Sequence, residues 1–170
     1  LCRIMVIERL SAVLFDVGGV TAAVPLSSVR EVLPLPHLSR PPGSPAPFAG
    51  FLDRAGAALP AVRLAMLFGL ADRAPEIDPL DAHLLVVGHE ALTVAFLVDR
   101  VLDVVTAGPV TATPVAPDAT LNGCVEMEVA LRGGLVPLVS ADRLLTASER
   151  ERLASLTRLE AERAARWADA

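Results

Sequence analysis

The sequence predicts an all-β domain, two small five-stranded barrels around a shared core, with short helices and a C-terminal α-helix. Three observations lead there: a strand–Gly-Gly–strand hairpin, its recurrence about 72 residues later, and a tail free of Gly and Pro with helix-capping chemistry.

Ala12-Val13-Leu14-Phe15-Asp16-Val17 and Val20-Thr21-Ala22-Ala23-Val24 are β-prone runs joined by Gly18-Gly19. A two-residue type I′ turn needs positive φ at both central positions, which glycine adopts at no steric cost. Leu84-Leu85-Val86-Val87 and Leu92-Thr93-Val94-Ala95-Phe96-Leu97-Val98 repeat the plan around Gly88-His89-Glu90-Ala91. Val29-Arg30-Glu31-Val32 then falls opposite Val101-Leu102-Asp103-Val104, Gly50 opposite Gly123, and Leu59-Pro60-Ala61-Val62 opposite Val136-Pro137-Leu138-Val139. Each half reads as hairpin, strand, irregular linker, two more strands and a brief helix, enough strand for one small barrel. A half of about 70 residues buries too little apolar surface to stand alone. Residues 1–170 are therefore expected to form a single domain, with two intertwined barrels in a core of about 12–147. The proline-rich linkers 33–47 and 108–117 are expected to be extended and exposed, and Cys2 to lie in a frayed end.

The tail, 148–169, is read as a helix because Ser148 and Glu151 have capping-box spacing and 149–168 contain no Gly or Pro. Leu153, Leu156, Leu159 and Trp167 form only a loose stripe, so the first turns are expected to dock while the far end is solvated. Five Arg balance five acids after Ala147, which leaves the whole net charge of −5 in the barrels.

Function classes fall away in turn. The longest uncharged stretches, 17–29 and 104–117, are short and broken by Gly or Pro, so no membrane-spanning helix is expected. Arg3, Glu8, Arg9 and Asp16 interrupt any signal-peptide core, and a cytoplasmic protein is the default. Two cysteines suggest no disulfide scaffold. An acidic chain without a basic run or an aromatic platform offers nucleic acid no footprint. Cys2, His37, His83, His89 and Cys124 show no metal-ligand spacing, so neither a metal nor another cofactor is expected. Cys124 with His83 or His89 is the one conceivable nucleophile pair, the basis of an alternative reading as a thiol enzyme or small-ligand protein using an inter-barrel cleft. Both glycine pairs, Gly18-Gly19 and Gly133-Gly134, are hairpin turns rather than phosphate cradles. Glu126 and Glu128 share one strand face, expected to be solvated.

Phe15-Asp16-Val17-Gly18, Val24-Pro25-Leu26, Val29-Arg30-Glu31-Val32 and Leu59-Pro60-Ala61-Val62-Arg63-Leu64 together resemble the CheW-like domain of bacterial chemotaxis. Phe96-Leu97-Val98-Asp99-Arg100-Val101-Leu102-Asp103-Val104 and Leu135-Val136-Pro137-Leu138-Val139-Ser140-Ala141-Asp142-Arg143-Leu144-Leu145 extend the resemblance from about Ala12 to Leu156. It implies two five-stranded SH3-like barrels and a scaffold without catalytic activity. Such an adaptor couples the cytoplasmic tips of methyl-accepting chemoreceptors to the CheW-like domain of a CheA-type histidine kinase, in the cytoplasm at membrane receptor arrays. Carried over from the family, the receptor groove corresponds to Val29, Glu31, Gly50, Arg54 and Gly56, and the kinase contact to Asp99 and Val101. Two departures stand out. The place of the family's turn arginine holds Ala55, next to Arg54, and the usual Val-Asp-Leu reads Val62-Arg63-Leu64. Both fall on the presumed partner side, which suggests a divergent adaptor serving a specialised array.

Overall fold

The computed structural model describes residues 3–70, 78–89 and 92–169. In chain order the elements are β1 (Met5–Ile7), β2 (Leu10–Val17), β3 (Val20–Pro25), β4 (Val29–Pro34), β5 (Phe48–Arg54), β6 (Ala57–Arg63), α1 (Leu64–Leu67), β7 (His83–His89), β8 (Leu92–Val98), β9 (Arg100–Ala107), β10 (Val110–Pro114), β11 (Val125–Leu131), β12 (Gly134–Val139) and α2 (Ala147–Ala168). They form a seven-stranded sheet, β9-β2-β3-β12-β11-β10-β1, and a five-stranded sheet, β4-β7-β8-β6-β5.

Five strands of the larger sheet, β9-β2-β3-β12-β11, correspond in order to β4-β7-β8-β6-β5, and β10 and β1 extend the larger sheet beyond them. Each order has a hairpin in second and third place, and its inner strand pairs in parallel with the last strand of the other half, β3 with β12 and β8 with β6. The halves have thus exchanged hairpins: β2–β3 completes the sheet made by the second half, and β7–β8 the sheet made by the first. Register irregularities repeat as well. The β2–β9 pairing skips Leu102 and the β4–β7 pairing skips Arg30, 72 residues apart. The β5–β6 pairing skips Ala49 and the β11–β12 pairing skips Glu126, 77 residues apart. That second spacing matches Gly50 with Met127, which corrects the expected match with Gly123; Gly123 instead lies in a turn at φ +62°.

Strand alternation explains how one chain builds three apolar clusters. On β2, Leu10, Ala12 and Leu14 point into the larger sheet's own core, while Val13, Phe15 and Val17 point into a seam shared by both sheets. On β7, Leu84 and Val86 line the smaller sheet's core and Leu85 and Val87 enter the seam. The hairpin strands are buried on both faces, so they read as continuous apolar runs rather than as alternating ones.

Several expectations are corrected. Residues 108–117 are not simply an exposed connection: Val110–Pro114 is β10, and it pairs with β1 and β11. Residues 33–47 begin inside β4 and touch β5 through a bridge between Ser39 and Phe51. The helix starts earlier than expected, with Thr146 as N-cap: its hydroxyl accepts from the Glu149 N–H, and the Glu149 carboxylate accepts from the Thr146 N–H. Thr146/Glu149 and Ser148/Glu151 share the same spacing; buried Leu144 and Leu145 hold the chain so that the first pair forms the cap. The second hairpin's strands run on to His89 and Leu92, which pair; Glu90 and Ala91 of the expected turn, the His89 side chain and Cys2 lie outside the described residues.

The turns follow their chemistry. Gly18 and Gly19 both have positive φ, and so do Arg132-Gly133 and Ala55-Gly56, so the third glycine turn begins one residue earlier than Gly133-Gly134. Ala55 at φ +51° carries a Cβ in a region that asparagine tolerates better. Ala55→Asn is expected to raise stability by about 0.5–1 kcal/mol in urea denaturation.

Candidate functional site

Glu31 leaves β4, one edge of the smaller sheet, and forms an ion pair with Arg54 at the end of β5, the opposite edge. The sheet is therefore curled until its edges meet through side chains. Asp103 of β9 and Arg132 of the β11–β12 turn make the corresponding pair on the larger sheet. The two arrangements differ by one step: Arg132 occupies the first turn position, whereas its counterpart is Ala55 and the arginine has moved back to position 54. Strand alternation argues against Arg54 replacing a turn arginine, yet Arg54 reaches the same carboxylate that a turn arginine would meet.

The Glu31–Arg54 pair edges an open depression of about 600 Å³, lined also by Arg30, Pro60, Leu92 and Thr157. Arg30, the residue skipped by the β-pairing, lies across Gly88, where a Cβ would come within 2.0 Å of its Nε. Its Nη1 donates to Thr93 Oγ1 at 3.5 Å. Arg30 was not among the expected site residues; the signal was its equivalence to Leu102, a charged residue in one half against an apolar one in the other. Gly56 lies at the hairpin tip beside this depression, with its N–H bonded to Asp53 Oδ1 at 3.1 Å. Val29 is half-buried against the seam. Gly50 is buried at φ +140°, and a Cβ there would come within 2.9 Å of Leu38 Cβ, so its visible role is the close approach of two backbones. Of the expected groove residues, Glu31 and Arg54 meet at this depression, Gly56 lines the neighbouring cleft between the β5–β6 hairpin and α2, and Val29 and Gly50 serve packing.

Asp99 and Val101 occupy the crossover between the sheets, where β8 leaves one and β9 enters the other. The Gly18 N–H donates to Asp99 Oδ2 at 2.8 Å, and the Asp99 N–H donates to the Asp16 carbonyl at 2.9 Å. The Val101 N–H donates to His83 Nδ1 at 3.3 Å. These residues tie the first hairpin turn to the crossover. Burial raises the Asp99 carboxyl above its ordinary value; the Gly18 N–H works against that rise, and the neighbouring Asp16 charge adds to it. A carboxyl raised in the folded state stabilises below its unfolded pKa and loses that contribution as pH rises through the native value. Asp99→Asn keeps an acceptor for Gly18 without the charge. It is therefore expected to gain thermal stability relative to wild type as pH rises from 3 to 7, read by melting temperature across that range.

Arg63 ends β6, and its N–H donates to the Pro47 carbonyl at 2.8 Å. Glu126 and Glu128 are exposed. Cys124 is buried in the seam, and burial raises its thiol pKa, the reverse of what a nucleophile needs. Among the described residues, no group of three or more His, Cys, Asp or Glu is placed to hold a metal ion. Among the described residues, no helix is long and apolar enough to cross a membrane.

Comparisons with known proteins agree with this architecture. The scaffolding protein TtCheW from Thermoanaerobacter tengcongensis superposes with a TM-score of 0.69 at 17% identity, over 84% of this chain and 91% of that one. No curated protein sequence matches significantly. A family model for the CheW-like domain matches residues 11–149, which take in both exchanged hairpins, both ion pairs and the first turn of α2. The chain belongs to the CheW-like domain family.

Proposed function

We propose that this chain is a non-catalytic adaptor that couples the cytoplasmic tip of a chemoreceptor to the CheW-like domain of a CheA-type histidine kinase, in the cytoplasm at a receptor array. The match of the CheW-like family over residues 11–149 is the observation that carries this reading. The open depression beside Glu31, Arg54 and Gly56 is the receptor face, and Arg54 holds Glu31 where Ala55 has no charge to offer. The half-turned geometry of that pair suits a receptor tip other than the one read by adaptors with a turn arginine, in keeping with a specialised array.

The kinase face lies on β9 beyond the crossover. Asp99 belongs to the hydrogen-bonded turn, so its substitution mixes folding with binding. Leu102 is 39% exposed next to Val101 and makes the cleaner probe. The test is co-elution of the purified chain with the CheW-like domain of a CheA-type kinase from the same genome, and with a receptor-tip fragment. Wild type is expected to bind both, Leu102→Arg to lose the kinase alone, and Arg54→Glu to lose the receptor alone. A folded chain that binds neither at about 50 µM, a concentration that detects even weak transient complexes, would overturn the adaptor reading.

A further inference from the structure

Past its first turns α2 has little of the body against it. Leu153 is buried, Leu156 and Thr157 are half-buried, and residues 161–169 are exposed. Two recesses flank this distal half. In one, Arg163 and Trp167 overlook Arg40, Pro41 and Pro42 of the linker. The other is a cleft of about 720 Å³ between the helix and the β5–β6 hairpin. Ala161, Ala165 and Ala168 line it from the helix, and Phe51, Gly56 and Ala58 from the hairpin.

The cleft adjoins the depression beside Glu31 and Arg54, since Ala57, Ala58 and Thr157 line both. Together they make one continuous groove, with Thr157 where the two parts join. The family match ends at residue 149, within the first turn of α2, so Glu31, Arg54 and the hairpin fall inside it and the helix wall falls beyond it. From Thr157 to Ala168 that wall runs three turns, about 16 Å. Side chains that stop at Cβ leave the cleft open along this length and let a second helix approach at the short end of the usual 8–10 Å interaxial range.

We propose that the distal half of α2 is a second wall of the receptor face, and that one helix of the receptor tip, seated beside Glu31 and Arg54, continues through the cleft against Ala161, Ala165 and Ala168. This rests on the adaptor reading and adds a contact from a part of the chain that the family match does not contain. It gives the face a specificity element built on bulk: any larger side chain on the alanine wall fills the space that the receptor helix needs.

The test measures binding of full-chain variants to a receptor-tip fragment from the same genome, and separately to the CheW-like domain of the kinase. Ala161→Trp and Ala165→Trp are expected to weaken receptor-tip binding at least tenfold, and Ala161→Ser to stay within twofold of wild type. Leu159 is 55% exposed and, at 100° per residue, lies on the side of α2 opposite those alanines. Leu159→Trp is therefore expected to leave tip binding unchanged. All four variants should keep the circular dichroism melt and the kinase affinity of wild type, because these positions are exposed in the free chain and lie away from β9. Full tip binding by both alanine-to-tryptophan variants overturns the proposal and leaves the adaptor reading standing. So does an equal loss in Leu159→Trp, which would trace the effect to the helix rather than to the cleft, or a loss of the kinase in place of the tip. A wild-type chain that binds the kinase domain but no receptor tip overturns the receptor half of the adaptor reading, and this proposal with it.

Discussion

Replacing Phe15 with alanine is expected to cost about 3–5 kcal/mol, the range for a buried phenyl ring whose cavity collapses only in part. Phe15 is fully buried at the centre of the seam, in one cluster with Val87 and Phe96 of the other sheet and Leu153 of α2. Its effect should reach both sheets. Each sheet takes a hairpin from the other half of the sequence, so neither can unfold without dismantling its neighbour. Urea denaturation followed by near-UV absorbance and by far-UV circular dichroism should therefore show one shared transition, displaced to lower urea in the variant. Two separated transitions in the wild type would show that the sheets unfold independently and that the chain is not a single cooperative domain.

Gly18→Ala is expected to cost about 2–4 kcal/mol, the sum of a left-handed backbone penalty and an overpacking penalty. Gly18 sits at φ +57°, and a Cβ there would lie 2.4 Å from Leu70 Cβ, an atom next to the backbone that cannot swing aside. The same residue donates its N–H to Asp99, so displacement also disturbs the crossover between the sheets. Gly19 makes the natural control: it too has positive φ, yet no atom lies within 4 Å of where its Cβ would be. Gly19→Ala should show the backbone penalty alone, about 1 kcal/mol. Equal losses at the two positions would mean that the contact with Leu70 is not what confines Gly18.

The local chemistry of the chain was readable residue by residue. Gly18-Gly19 declared a type I′ turn because few other residues accept two successive positive φ angles, and the long run without Gly or Pro declared α2. The helix start is ambiguous in the sequence because Thr146/Glu149 and Ser148/Glu151 offer the same cap, and only the burial of Leu144 and Leu145 chooses between them. β10 is hidden in the sequence because Gly108, Pro109, Pro114 and Pro117 make the segment look like a linker, whereas Val110 and Ala112 fill a place in the larger sheet's core. Of the candidate site, the carboxylate and the arginine were legible as types; that Glu31 and Arg54 meet was not, because they lie on opposite edges of a sheet that has to curl to join them.

Sequence by itself determined the all-β class, the two hairpins, the internal duplication and the family, since each is written in patterns of residue type and spacing. Tertiary structure decided the rest. Which half supplies which hairpin, why Asp99 serves a turn, and where α2 leaves a cleft all depend on contacts between residues distant in the chain. Such contacts are selected by how two-faced apolar strands share one buried seam, and a residue pattern alone does not say which partner each face will find.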